Sequence, residues 1–176
     1  MLLKHSIAGD LAMAKITFEI GSWVVYPAHG VGKLENIEKI ELNGEIFEFF
    51  VIAFEKNKLV LKIPTAKAIS AGLRKILTQS DMAGVFDSLR HKSKKKKAMW
   101  SKRAQEYEEK INSGDPVSLA QVIRELYKGN GETTLSFGEK QVYQLAMERL
   151  AKEISIIENI EETEAVRKLE GLLQAA

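Results

Sequence analysis

The sequence predicts an α+β protein: a small, strongly bent antiparallel β sheet or half-open barrel, followed by an all-α helical domain. Three observations carry this. Short runs of β-branched and aromatic residues fill residues 16–64, punctuated by Pro27, Gly30, Gly32 and Pro64. Asn43-Gly44 stands between two such runs and is the strongest short-range hairpin signal, a two-residue type I′ turn. Beyond Pro64 the apolar spacing becomes helical.

Each element has its own local reason. Trp23-Val24-Val25-Tyr26 is a short apolar strand closed by Pro27. Val31 to Leu42 alternates loosely, Ile46 to Phe54 returns from the turn, and Leu59 to Ile63 forms a further strand before Pro64. A sheet this small has an exposed edge, and an edge can accept a partner's strand. Ser80-Asp81 is placed to cap a short helix carrying Met82, Val85, Phe86 and Leu89. A helix over 98–112 ends at Ser113-Gly114, with Gly114 as its C′ residue. Asp115-Pro116 supplies an N-cap and an N1 proline for a helix through Tyr127, whose apolar face is Leu119, Val122, Ile123 and Leu126. Asn130-Gly131 breaks that helix. Ser136-x-x-Glu139 is a capping box opening a long helix to about Ile157, and residues 161–173 make a last amphipathic one. The expected organisation is an extension at 1–15 without order, a β module at 16–68, short helices and a basic linker at 69–97, and a helical domain at 98–176.

Charge is distributed unevenly along this plan. Residues 1–89 carry 10 basic and 10 acidic side chains, residues 90–103 carry 8 and 0, and residues 104–176 carry 8 and 14. The band includes His91 to Arg103, HKSKKKKAMWSKR, in which a lysine run ends at a tryptophan followed by Lys102 and Arg103. A lysine run alone reads as a solvated joint, and a lone Trp reads as core. Here they adjoin, and Trp100 is flanked by Lys97, Ser101, Lys102 and Arg103 rather than by an apolar run. Lysines for phosphates beside an aromatic that can stack or wedge between bases suit a surface that meets nucleic acid. If four to six of these cations meet phosphates, log K should fall with log salt at a slope of roughly −4 to −5.

Other classes find less support. The chain has no cysteine, which excludes disulfides and thiolate metal sites and fits a reducing cytosol. No run approaches the length of a membrane span. The opening MLLKHSIAGDLAMAK is a poor signal peptide, because His5 and Asp10 interrupt the apolar stretch, although Ala12-Met13-Ala14 has the form of a cleavage site. Met13 is the expected functional start. The three histidines, His5, His29 and His91, lie in separate segments without ligand spacing, and His29 sits in a Pro-Ala-His-Gly turn that reads as structural. Gly138-Glu139-Lys140-Gln141 lacks the glycine spacing of a phosphate loop. No catalytic constellation, metal site or cofactor is expected.

Two sets of residues resemble a known family. Phe18-x-Ile-Gly-x-x-Val-Val-Tyr-Pro-x-His-Gly-Val-Gly is similar to the opening of the CarD/CdnL bacterial transcription factors. Trp100-Ser-Lys-Arg, Ser113-Gly-Asp and Leu135-Ser-x-Gly-Glu-Lys140 match the family's second half in order and spacing. The transcription-repair coupling factor shares the first module, so the pairing of both halves is the more specific signal. The resemblance implies a Tudor-like N-terminal module that binds the RNA polymerase β subunit through a strand edge. It also implies a helical domain whose tryptophan wedges into the minor groove at the upstream edge of the promoter bubble, stabilising the open complex. Carried over, Trp100 is the wedge, Lys102 and Arg103 lie beside it on the backbone, and Lys140 is a further DNA contact. The lysines at 94–97 depart from the family in being more basic than its joint, and Lys96 and Lys97 are expected to add phosphate affinity. Lys62 and Leu61, on the last strand, fall in the polymerase-binding region, where a second basic contact of some members is replaced by Ile40. The implied partners are RNA polymerase and promoter DNA read with little sequence preference; the protein is expected to be a cytoplasmic monomer, drawn to the nucleoid by polymerase. Two rival readings stay open. An interaction adaptor would use the lysines only for solubility and would show no duplex binding even at about 50 mM salt. A nucleic-acid enzyme or its accessory would need a clustered acid pair or a metal site.

Overall fold

The hairpin at Asn43-Gly44 sets the register of the first half. Both residues have positive φ, 52° and 80°, the left-handed pair that a type I′ turn requires. They join β2 (Gly30–Leu42) to β3 (Glu45–Phe54), which pair antiparallel from Leu42↔Glu45 to Lys33↔Ala53 with a bulge between Leu34 and Asn36. The structure is a computed structural model that describes residues 17–92, 97–129 and 134–175. The expectations placed on residues 1–15, on Lys96 and on Asn130-Gly131 lie outside those residues.

Three more strands complete the sheet: β1 (Trp23–Tyr26), β4 (Leu59–Pro64) and β5 (Arg74–Lys75), in the order β4-β3-β2-β1-β5 with every pair antiparallel. A single helical turn, α1 (Thr65–Ala68), follows β4. The strand β5 pairs with Val24 and Val25 and falls beyond residue 68, in the stretch expected to hold short helices and linker. Two residues are too few to show a period, so only tertiary pairing reveals it. Phe18, Val24, Leu34, Phe50, Ile52, Phe54 and Ile63 form the sheet's core. Gly32 leaves room for that core, since a Cβ there would stand 2.7 Å from Ile52 Cγ2 and 2.8 Å from the Phe54 ring on the neighbouring strand.

Among the described residues the second half is built of five helices: α2 (Met82–Arg90), α3 (Trp100–Asn112), α4 (Pro116–Leu126), α5 (Phe137–Glu158) and α6 (Glu162–Gln174). The expected caps hold for α4 and α5. The Asp115 carboxylate accepts from the N–H groups of Val117 (3.3 Å) and Ser118 (3.0 Å). Ser136 and Glu139 close their reciprocal box. Gly114, φ 70°, follows α3 as expected of a C′ glycine. Asp81 departs from expectation. It does not cap α2, because its own backbone is already helical and its carboxylate turns back to the N–H (3.2 Å) and hydroxyl (2.7 Å) of Thr78. Met82, Val85, Leu89, Tyr107, Ile111, Leu119, Val122, Ile123, Leu126, Leu150, Ile154, Leu169 and Leu173 fill the helical core.

The two halves are bolted together by arginine–carbonyl and arginine–carboxylate contacts. Arg74 of β5 makes a two-pronged pair with Glu153 of α5 at 2.7 and 2.9 Å and donates from Nε to the Gly114 carbonyl at 2.8 Å. Glu153 is 2% exposed and also accepts from the Leu77 N–H at 2.9 Å, so its charge is fully compensated. From the other side, Arg149 of α5 donates to the carbonyls of Pro27 (2.8 Å) and Ala28 (2.9 Å) in the β1–β2 turn. The Pro27 ring packs against Gly72 and Gly114, where a Cβ would stand 2.6 and 3.1 Å from its Cγ.

Candidate nucleic-acid interface

The starts of α3 and α5 meet, and Trp100 lies where they do. Its indole rests on the first turn of α5. A methyl group at Gly138 would stand 2.7 Å from Trp100 Cζ2 and 3.1 Å from Cε2, so glycine there is what lets the ring lie close. Trp100 remains 38% exposed, and its neighbours Met99 and Phe137 are 80% and 78% exposed. Three large apolar side chains at one tip, none of them sunk in the core, form a patch of the kind that marks a binding surface. Lys97, Lys102 and Lys140 are exposed on the same two chain segments. The start of α3, which has no side-chain cap among the described residues, adds N–H groups and partial positive charge that favour phosphate, whereas α5 is closed by its Ser136–Glu139 box. Lys96 lies outside the described residues.

Arg103 is the exception among the expected phosphate contacts. Its side chain is only 20% exposed and is occupied: Nη2 donates to Glu139 Oε1 at 3.0 Å and to the Tyr107 hydroxyl at 3.3 Å. The guanidinium carbon lies 5.7 Å from the ring centroids of both Trp100 and Tyr107, and those two rings are 6.4 Å apart. The other Glu139 oxygen accepts the Ser136 N–H at 3.0 Å, so one carboxylate serves both the helix cap and the arginine. That backbone donor, and then Arg103, hold the Glu139 carboxyl below its ordinary range despite burial. Tyr107 is pushed up, chiefly by desolvation. No sequence signal ties Arg103 to Glu139, 36 positions away; each looked complete in its own motif.

The sheet presents a second face. Strand residues alternate sides, and the register puts Ile40 opposite Phe47 and Lys62 opposite Val51, on the face turned away from the sheet core. Ile40, Leu42, Phe47 and Val60 are exposed there, and Lys62 is paired with Glu38 at 2.7 Å. Leu61 points the other way. It is half-buried against the core that holds Leu34 and Ile52, so it does not share the face of Ile40 and Lys62. Phe47 and Val60 were not singled out from the sequence; counting register outward from Asn43-Gly44 and along β4 would have found them.

His29 stacks on Tyr26 with centroids 5.9 Å apart and approaches Phe54 at 5.4 Å, a packing role. Among the described residues no group of three or more His, Cys, Asp or Glu side chains is arranged to hold a metal, and no helix is long and apolar enough to cross a membrane.

Comparison with known proteins bears on both halves. A family model described as CarD-like/TRCF RID domain matches residues 18–77, and one described as CarD, C-terminal domain matches residues 84–170. The chain is similar to a Bacillus subtilis (strain 168) protein named "Putative transcription factor YdeB", with 30% identity over 145 residues that cover 82% of this chain and 95% of that protein.

Proposed function

The chain belongs to the CarD family and has a role in transcription; from that membership and its two faces we propose that it stabilises the promoter open complex. In this reading the outer face of the sheet and its β4 edge, which no other strand pairs with among the described residues, bind the β subunit of RNA polymerase. The tip at Trp100 meets promoter DNA at the upstream edge of the bubble. No catalytic step and no cofactor is involved.

The observation that carries the reading is the state of Trp100. A core tryptophan would be enclosed and a solvent-facing accident would be loose; this one is exposed yet packed closely against Gly138, between exposed lysines. An apolar wedge gains most where stacking is already broken, and lysine–phosphate contacts add affinity without base information. Binding should therefore favour a fork junction over intact duplex, with slight sequence preference.

Fluorescence-anisotropy titrations of the two DNAs test this. Wild type is expected to prefer the fork, and Trp100→Ala to lose that preference while retaining salt-dependent duplex binding and co-purification with RNA polymerase. Equal affinity of wild type for fork and duplex would remove the wedge. No duplex binding at about 50 mM salt would favour the adaptor instead.

A further inference from the structure

We propose that Arg103 does not contact DNA phosphate but works as a positioning residue, latched by Glu139, that sets the orientation of the Trp100 ring. The inference rests on the reading of Trp100 as the DNA-facing wedge. Four observations carry it. Arg103 lies three residues beyond Trp100, one helical turn on, so the two share a face of α3. Its guanidinium lies beside both rings, 5.7 Å from the centroids of Trp100 and of Tyr107, which are themselves 6.4 Å apart. Its charge is spent on Glu139, which is itself anchored by the Ser136 N–H in the capping box of α5. Its Nε is buried and has no hydrogen-bond partner among the described residues. An arginine recruited for phosphate would present its fork to solvent; this one leaves a donor unmade and keeps its charge against two aromatic rings and a carboxylate.

The consequence follows from preorganisation. A tryptophan at a helix start with free rotamers must be ordered when it inserts, and that ordering subtracts from binding. The Arg103–Glu139 pair ties the start of α3 to the start of α5, so the indole is presented already seated on Gly138. A cation already neutralised by a carboxylate releases no counterion on meeting DNA. The phosphate contacts are then left to Lys97, Lys102 and Lys140 among the described residues.

Arginine-to-lysine replacement separates the two roles, because lysine keeps the charge and loses the planar fork. The test uses the full chain with Arg103→Ala, Arg103→Lys and, as a phosphate-contact reference, Lys102→Ala. Fork-DNA affinity is measured against salt, and open-complex lifetime with RNA polymerase. Trp100 emission and anisotropy are read without DNA in a Trp23→Phe background. Both Arg103 variants are expected to shift Trp100 emission to the red, lower its anisotropy and shorten the open complex roughly 3- to 10-fold, with the salt slope unchanged. Lys102→Ala should make the slope shallower by about 1 with Trp100 emission unchanged. Arg103→Lys with wild-type lifetime, together with a slope shallower by about 1 in Arg103→Ala, would make Arg103 a phosphate contact and overturn the latch. Unchanged Trp100 anisotropy in Arg103→Lys overturns it as well. That reading needs no DNA, so it stands apart from failure of the wedge, and it serves if Arg103→Ala does not fold.

Discussion

Gly138 holds a place that the helix alone would give to another residue. Replacing a helical glycine by alanine ordinarily stabilises by about 0.5–1 kcal/mol. Here the new methyl would stand 2.7 Å from the Trp100 ring, a side chain that can swing outward. Gly138→Ala is therefore expected to melt at or near the wild-type temperature while losing the fork preference; thermal denaturation beside anisotropy titrations measures both. A variant that kept full fork preference would show that the seat on α5 does not matter. At this scale the sequence was half legible. Trp100 with its flanking lysines stood out from local context, because an aromatic among charges is visible without a fold. Arg103 looked identical to Lys102 in that run, and only the approach of α5 distinguishes a solvated cation from one enclosed by Glu139, Trp100 and Tyr107.

At the scale of elements, punctuation residues made the plan readable wherever the physics is local. Asn43-Gly44, Asp115-Pro116 and Ser136-x-x-Glu139 each satisfy backbone groups within a few residues, and each appears in the structure where the motif stands. Asp115→Ala, which orphans two N–H groups of α4, is expected to cost about 1 kcal/mol, read as a lowered urea midpoint at unchanged m value. An unchanged midpoint would mean that water replaces the cap without loss. Ser80-Asp81 had the same look, but Thr78 offers the carboxylate a nearer pair of donors. The strand β5 has no local signature for the opposite reason: its two residues pair only because β1 lies alongside. The apolar outer face was equally hidden, since alternation reveals two sides of a strand but not which one the core takes.

For the whole molecule, the contacts between halves turn two modules into one lever. Arg74–Glu153 is nearly buried, Arg149 grips the β1–β2 turn, and Lys152 and Lys56 pair with Glu55 and Glu148 across the seam. A sheet face held on polymerase would thus fix where Trp100 can reach, which a flexible tether would not. None of these pairs was legible beforehand, because each joins positions far apart in the chain. The most direct test is the lifetime of promoter open complexes formed by bacterial RNA polymerase, challenged with competitor, with no added protein, with wild type and with Trp100→Ala. Wild type is expected to lengthen the lifetime; Trp100→Ala is expected to bind polymerase equally well and to return the lifetime toward that of polymerase alone. Since Trp100 is half exposed, the variant should lose well under the roughly 3–5 kcal/mol of a core tryptophan and remain folded. Complexes that live as long with Trp100→Ala as with wild type would contradict the account.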